Sequence, residues 1–563
     1  MLICGVKVTH DGGVAVVEDG RLRTSVEVEK LGNRARYTDL LDTDLIAVVL
    51  KSIGLHPSDI DTFVVDGWGF GGPTEVNTMA AGEPLELRVA AYREAQLADD
   101  SLRHEVFDGL RIGGREHRYH SYHHTTGHVM SAYATSPFAA RREPAFVVVW
   151  DGGTLPRGYV ASPDGAIENL GPIFGLIGNL YATFSMRFPP FRPEDIGVSD
   201  ERLPYMQLSV PGKVMAYVAK GQPRPELCQV LDDIYRDELD VSLGFAEVFA
   251  ESFLKRAEHL AVRPEDALAS MQHWLGEQLV DSVRTMRSFR PGLPGNLCLA
   301  GGCALNIKWN TRIRTSAGFD EVYVPPFPND SGSAFGAACA EHARISGSAA
   351  VQWSVFAGPR LTDEDRRTYG YRRRECDIEN LARILHETGE PVVVLHGAAE
   401  LGPRALGHRS IIAPATDPAA KDILNEIKVR ESYRPVSPIC IEDRAPEIFD
   451  PGTPDPFMLF DHTVRPGWRD RIPAVVHLDG SARLQTVDPQ MDPTVGALLT
   501  AYDRLSGVPV LCNTSANLNG SGFFPDVASA LRWGRTRLVW SEGWLYEKEP
   551  GRGDERSTEM NAI

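Results

Sequence analysis

The sequence predicts an α/β protein of two domains, and three observations carry that expectation. Its 563 residues exceed what one core usually holds, since single cores rarely grow past ~250–300 residues. Short apolar strands alternate with glycine turns and helices along most of the chain. The texture turns polar and charged once, in "SVFAGPRLTDEDRRTYGYRRRECD", which places a junction between domains 1–355 and 356–563.

Bulk properties narrow the function. A composition of 43% hydrophobic and 24% charged residues is that of an ordinary globular protein. The net charge of −18 argues against a nucleic-acid surface, while leaving room for a local basic pocket. The 8 cysteines form no C-x-x-C pair and several lie in apolar company, as reduced buried thiols do. "MLICGVKVTHDGG" shows no basic leader, and no stretch approaches ~20 apolar residues, so no membrane is expected and the cytoplasm is the expected compartment.

In chain order, "LICGVKV", "VAVV" and "RLRTSVEVE" alternate between turns and predict a three-strand antiparallel meander. An amphipathic helix follows over 42–54, then the buried strand "DTFVVDGWG". The histidine-rich segment reads as a helix leading to "EPAFVVVWDGG", a strand ending in a sharp turn, and "RGYVASPDGAIENLG" as a hairpin. Residues 225–290 are mostly helical by periodicity. "NLCLAGGCALNIKWN" and "EVYVPPFPNDSGSAFGAACAEHA" each read strand, loop, helix, so ligands belong at the turns. Beyond the junction come the strands "PVVVLHG" and "IIAP", a helix through "AAKDILNEIKVR", then "YRPVSPICIE", "VPVLCNTSANLNGSG", a helix over 526–534 and "RLVWS". The tail "EKEPGRGDERSTEMNAI" reads as frayed, and no long internal repeat is visible.

The chemistry-bearing residues cluster. Around "YHHTTGH", five of 16 histidines fall in twelve positions: His117, His120, His123, His124 and His128. On a helix His124 and His128 are i,i+4 neighbours, with His120 extending their row, which makes either a polar face or half of a metal site. Asp151 in a glycine turn at a strand end and Asp330 in "PNDSGSAFG" offer the other half, unless both merely cap the adjoining turn or helix. Two imidazoles and two carboxylates suit Fe2+, Mn2+, Zn2+ or Co2+. Glycine turns at 151–153, 301–302 and 330–332 suggest phosphate contacts through backbone N–H groups, and His10-Asp11 occupies the first hairpin turn.

The second half is richer in cations. "LGPRALGHRS" supplies Arg404 and Arg409, with His408 beside the latter, and "IKVRESYRPVSP" supplies Lys428, Arg430 and Arg434. A solvated basic face is the plain alternative, but these arginines stand in Gly and Pro loops at strand ends, where Arg forks bind phosphate or carboxylate. "CNTSANLNG" adds Asn513, Thr514, Ser515 and Asn517 for amide or phosphate hydrogen bonds.

Taken together, "HHTTGH", "LAGGCALN", "NDSGSAFGAA", "LGPRALGHRSI", "LNEIKVRESYRPVSP" and "NTSANLNG" resemble the O-carbamoyltransferases of the NodU/CmcH type, which include TobZ-like enzymes of antibiotic biosynthesis. The resemblance runs nearly end to end. It implies an actin-like ATPase (ASKHA) domain joined to a YrdC-like α/β domain. It assigns His124, His128, Asp151 and Asp330 to a metal, and Gly152, Gly153, Gly301, Gly302 and Asn306 to nucleotide contacts. Lys428 and Arg430 match its K-x-R motif, and Ser515 and Asn517 its S-x-N. Three departures stand out: "HDGGVA" for HDxSxA, "EVEKLGNRARY" for an acidic-rich EEERF segment, and one extra residue in "HHTTGH", which leaves His123 unassigned.

The implied reaction has two steps. Carbamoyl phosphate and ATP give a carbamoyl-adenylate and pyrophosphate, and a hydroxyl of a small-molecule natural product then takes the carbamoyl group. Arg404, Arg409, Lys428, Arg430 and Arg434 would hold phosphate, Asn513, Ser515 and Asn517 the carbamoyl amide, and His10 would serve the acceptor hydroxyl. A divalent cation is expected, Fe2+ first, then Mn2+, Zn2+ or Co2+, with Mg2+ accompanying ATP. The expected partners are the hydroxyl acceptor, shaped by residues 70–120 and 180–290, and as an open alternative a second copy of the chain. Competing readings are an ATP-dependent kinase or hydrolase of the actin-like fold, a threonylcarbamoyl-type tRNA modification protein, and a non-catalytic nucleotide-binding regulator.

Overall fold

The computed structural model describes residues 1–196, 203–242, 244–362 and 367–549; the tail from 550 lies outside the described residues. The expected meander is present: Leu2–Lys7 pairs antiparallel with Gly13–Glu18, and that strand with Arg21–Glu27. On its other side Leu2–Lys7 runs parallel to Thr62–Asp66, which runs parallel to Arg115–Tyr122. A second sheet repeats this plan, with Ala145–Val149 at its centre, Arg157–Ala161 and Ile167–Pro172 completing a meander, and Asn296–Ala300 and Glu321–Tyr323 added in parallel. The absence of a sequence repeat therefore concealed a repeat of topology. Side chains facing different partners diverge freely, while the strand order is kept.

Two helices fill the space between these sheets: His124–Ala134, from the first, and Ser333–Ser346, from the second. Both are buried on nearly every face because each has a sheet on one side and the other helix beside it. Their approach depends on glycine: a Cβ on Gly336 would lie 1.9 Å from the Gly127 carbonyl oxygen. The first sheet gains a sixth strand, His104–Ile112, beside Arg115–Tyr122, and otherwise the two sheets share one strand order; such duplicated sheets with helices between them are the actin-like architecture the resemblance implied. A helical layer from Asn179–Ser185 to Pro264–Ser288 is inserted before Asn296, with Phe184, Phe249, Phe253 and Trp274 in its core.

The second half forms a mixed eight-stranded sheet. Alternate residues of Val392–Leu395 enter different cores: Val393 and Leu395 face the helices Ala419–Ile427 and Val527–Trp533, while Val392 and Val394 face Ile378–Thr388 and Pro493–Ser506. This is the α/β domain expected after the junction. The charged junction itself begins on the first domain, where the Gln352 carbonyl accepts from Leu22 N at 2.8 Å and the Ala357 carbonyl from Ser25 N at 2.9 Å.

One local expectation is corrected. His117 and His120 lie on the strand Arg115–Tyr122, and His123 stands at the N-cap of the following helix, so the row from His120 through His124 does not exist. His120 instead turns its Nδ1 to Glu341 at 3.1 Å. A strand can run straight into a helix without a glycine or proline to announce the change. Among the described residues all 8 cysteines are free, and no helix is long and apolar enough to cross a membrane.

Candidate active site

His124 and His128 are one helical turn apart on the buried helix, and their Nε2 atoms lie 3.1 Å from each other. Each Nε2 is 3.4 Å from Asp330 Oδ1, and with Asp151 the four residues offer one ligand atom apiece, all within 4.8 Å of one another. Asp330 does not cap the turn it opens; Asn329 occupies the N-cap. Asp151 accepts from Gly302 N at 2.7 Å and from Tyr92 Oη at 2.5 Å.

Two residues that sequence reasoning passed over complete the site. Asp66 Oδ2 lies 2.7 Å from His124 Nδ1, which fixes one ring proton there and makes Nε2 the atom for which a second proton and a cation compete. Lys7 Nζ bridges Asp66 and Asp330, 3.0 Å from Oδ2 of each. Both had a signal: a lysine within the apolar strand "LICGVK", and an aspartate at a strand end where the second sheet leads into Asp151. With the imidazoles neutral, the carboxylates of buried Asp66 and Asp330 and half-buried Asp151 against the Lys7 ammonium leave two negative charges. That charge, the two converging Nε2 atoms and the mixed N/O donors fit a divalent cation held by His124, His128, Asp151 and Asp330.

The electrostatics agree. Burial disfavours charge on His124, but Asp66 and Asp330 outweigh it and raise its pKa to about 9. Burial likewise opposes ionisation of Asp330, yet Lys7, His124 and His10 hold it well below the usual carboxylate range. His10 stands at the rim, its Nδ1 3.1 Å from Asp11 Oδ2 and its Nε2 3.6 Å from Asp330 Oδ2. Its ring packs edge-on against Trp68 at 5.1 Å, and Phe70 stacks on Tyr92 at 4.9 Å, giving the 70–120 region an aromatic wall beside the cluster.

The expected nucleotide contacts need revision. Gly301 N donates to the Pro328 carbonyl at 2.8 Å and Gly302 N to Asp151, so neither N–H is free for phosphate. Asn306 caps the helix Ile307–Ser316 and pairs with the Gln272 amide through both its side-chain atoms at 3.1 Å. These residues shape the turn beside Asp151 rather than offer it donors. Gly152 and Gly153 lie in the same turn, Gly153 against Phe70.

In the second domain the motifs K-x-R and S-x-N meet. Lys428 Nζ donates to the carbonyls of Ser515 at 2.8 Å and Asn517 at 2.7 Å and to Asn517 Oδ1, while Ser515 Oγ donates to the same Oδ1 at 2.7 Å. Burial and then Arg430, Arg36 and Arg434 press the Lys428 pKa well down, against three acceptors grouped around its Nζ. Arg430 Nε donates to Asn425 Oδ1 at 2.6 Å, and its Nη2, like Arg404 Nε, is buried with no hydrogen-bond partner among the described residues. Arg404 is pushed well down by burial and then by Arg483, Arg36 and Arg434. Guanidinium does not surrender its proton in such places, so the cluster is a buried positive potential suited to an anion. Asn513 donates to the Ala405 carbonyl and to Gln485, leaving a buried Oδ1 free to accept.

Arg409 does not belong to this cluster. Its guanidinium donates to the carbonyls of His396 at 2.6 Å, His408 at 3.0 Å, Gly397 at 3.0 Å and Pro359 at 3.2 Å, so it braces a loop rather than facing an anion. Its place is taken by Arg483 and by Arg36, which comes from the first domain.

Arg36 identifies the segment joining the two clusters. Residues 27–37, where the family's acidic-rich segment was expected, dock on the second domain: Arg36 N donates to the Gly520 carbonyl at 2.8 Å and Gly522 N to the Arg34 carbonyl at 3.0 Å. A Cβ on Gly522 would lie 1.9 Å from the Glu29 carbonyl oxygen, so only glycine allows the contact. Buried Lys30 donates to Glu27 and to the carbonyls of Glu400 and Gly402 at 2.8, 2.5 and 2.8 Å. Asp11 N donates to the Tyr37 carbonyl at 3.4 Å, while Arg36 adjoins the arginine cluster, so residues 36 and 37 join His10-Asp11 to it.

Fold and site together define a two-domain α/β protein whose first domain has duplicated, actin-like sheets around a histidine–carboxylate cluster and whose second domain holds a buried cation cluster. The chain belongs to the carbamoyltransferase family: residues 2–339 match the profile of the carbamoyltransferase N-terminus and residues 382–539 that of its C-terminus. It is 46% identical over 567 residues to nodulation protein U of Bradyrhizobium diazoefficiens, covering 97% of each chain. It is 30% identical over 544 residues to the 3'-hydroxymethylcephem-O-carbamoyltransferase of Streptomyces clavuligerus, covering 96% of this chain and 97% of that one.

Proposed function

We propose that this carbamoyltransferase makes a carbamoyl-adenylate from carbamoyl phosphate and ATP and passes its carbamoyl group to a hydroxyl of a small-molecule natural product. The observation that supports it best is the run of residues from the arginine cluster through Arg36 and Tyr37 to His10 and the His124 cluster. Carbamoyl phosphate is held by Arg404, Arg430, Arg434 and Arg483, with Lys428 bracing the Ser515–Asn517 turn and Asn513 Oδ1 accepting from the carbamoyl NH2. Water cleaves the P–O bond of carbamoyl phosphate, releasing inorganic phosphate and carbamate; the carbamate oxygen then attacks the α-phosphorus of ATP, and pyrophosphate departs. These cations stabilise the charge that develops on both leaving groups. In the second step the acceptor hydroxyl attacks the carbamoyl carbon and AMP leaves.

His10 is suited to receive the hydroxyl proton on Nε2, because Asp11 engages Nδ1. A divalent cation bound by His124, His128, Asp151 and Asp330 would supply Lewis-acid polarisation and neutralise phosphate charge. Tyr92, Trp68 and Phe70 line the acceptor side and exclude water from an ester that hydrolyses readily.

Incubation with ATP, carbamoyl phosphate and a hydroxylated acceptor tests the reading. Pyrophosphate, AMP and an acceptor heavier by one carbamoyl group are expected. Release of ADP in place of AMP would replace it with a kinase or hydrolase.

A further inference from the structure

The second domain holds a cluster that the proposed reaction does not use. His396 follows the strand Val392–Leu395 and His408 precedes Arg409–Pro414; because Leu395 pairs with Arg409, the two histidines come next across the hairpin, with His396 N donating to the His408 carbonyl at 3.1 Å. Their ring centroids are 3.9 Å apart. Asp492 reaches them from the N-cap of the helix Pro493–Ser506, where its Oδ1 accepts from Val495 N at 3.1 Å.

The atoms left over converge. His408 Nδ1 lies 2.8 Å from the Ala398 carbonyl, which only accepts, so the ring proton sits there and Nε2 presents its lone pair. That Nε2 is 3.4 Å from Asp492 Oδ2, acceptor against acceptor. Asp492 Oδ2 and His396 Nε2 are both buried with no hydrogen-bond partner among the described residues. The three residues offer ligand atoms all within 4.8 Å of one another. A tetrahedral site with bonds of about 2.0–2.2 Å spaces its ligands roughly 3.3–3.6 Å apart, the spacing His408 and Asp492 already have.

We propose that His396, His408 and Asp492 form a second metal site, for a first-row divalent cation such as Zn2+, separate from the His124 cluster and sharing no residue with it. Two imidazoles and one carboxylate are a common donor set for such cations, with a further position for water. The carbonyl behind His408 supplies the outer partner that orients a ligating imidazole. The surroundings are stiff: Arg409 ties the carbonyls of both histidines, Glu400 accepts from the backbone N–H groups of Leu406, His408 and Arg409 at 2.7, 2.8 and 3.0 Å, and Phe356 stacks on His408 at 3.6 Å. The cation would pin both ends of the loop that carries Arg404 to a helix, and so fix where Arg404 points.

The test is metal analysis of the full-length protein, stripped with chelator, reloaded with Zn2+ and freed of excess. Wild type should hold two equivalents. Asp492→Asn, which keeps a capping side chain, and His408→Gln should each hold one, and His124→Ala should also hold one, having lost the other. In His124→Ala, Zn2+ should raise the melting temperature, and adding Asp492→Asn should abolish that rise. Unchanged Zn2+ content in both Asp492→Asn and His408→Gln would overturn the site. Two equivalents retained in His124→Ala alone would count against the first cluster and leave this one standing.

Discussion

Asp66→Asn separates the two roles the structure gives Asp66: orienting His124 and drawing a proton onto it. With both carboxylates in place the cation-free His124 pKa is about 9, against an unperturbed value of about 6.5. A cation needs the Nε2 lone pair, so proton and cation compete. Apparent affinity should climb tenfold per pH unit up to about 9 and then level, a penalty at pH 7 of about two decades, or ~2.7 kcal/mol. The same shift stabilises the cation-free fold fully below about pH 6.5, and that contribution is lost as pH rises through about 9. In Asp66→Asn the main carboxylate acting on His124 is gone and its pKa falls toward the ordinary value. The climb between pH 7 and 9 should flatten, even though loss of the orienting partner lowers affinity about 10–100-fold. Zn2+ competition against a chromophoric chelator from pH 6 to 9.5, in protein that also carries His396→Gln, reads the slope. Equal slopes for the two proteins would refute the assignment of Asp66 as the group that sets the His124 proton.

Three further outcomes distinguish the roles assigned to the cations. Arg404→Gln should raise KM for carbamoyl phosphate about 10–100-fold, the cost of one lost charge-assisted bond, without lowering the melting temperature, because it also relieves repulsion from Arg36, Arg434 and Arg483. Lys428→Met strips donors from Ser515 and Asn517 and should cut carbamoyl-phosphate-dependent pyrophosphate release at least about 100-fold, with metal content unchanged by elemental analysis. Arg409→Met leaves four carbonyls without that donor, so it should destabilise by about 3 kcal/mol or more in urea unfolding while KM for carbamoyl phosphate stays put. A raised KM with unchanged stability would return Arg409 to the anion cluster.

Most of the fold was legible because hydrophobic period and glycine punctuation act locally: the meander, the strands before Asp151 and Gly301, and the helices over 225–290 all lie where those signals put them. The His124, His128, Asp151, Asp330 constellation was legible for a different reason. Its members sit at strand ends and on one helical face, positions the topology brings together. What escaped was side-chain direction. Arg404 and Arg409 stand five residues apart in one motif, yet one faces the cation cluster and the other turns to backbone carbonyls. Arg36 and Arg483 join that cluster only because the domains dock, which no window of sequence displays. Asn306 and the Gly301 and Gly302 N–H groups satisfied a motif, but their hydrogen bonds were already taken within the protein.

The docking also bears on why one chain carries both halves. The His124 cluster has a surplus of negative charge and the arginine cluster a surplus of positive charge, both buried, and each is costly to keep unless a bound species compensates it. A cation suits the first and phosphate the second. On the proposed reaction a carbamoyl-adenylate carries its phosphate from one potential to the other, past Arg36 and Tyr37. Those residues are held by backbone bonds to Gly520 and to Asp11 and by the contact that glycine at 522 permits. Were the domains separate proteins, the labile ester would cross water between them. Lys30, buried between Glu27 and the carbonyls of Glu400 and Gly402, makes that separation expensive: pulling the domains apart leaves both carbonyls without their donor. A segment that departs from the family's acidic pattern is thus the one that docks the first domain on the second.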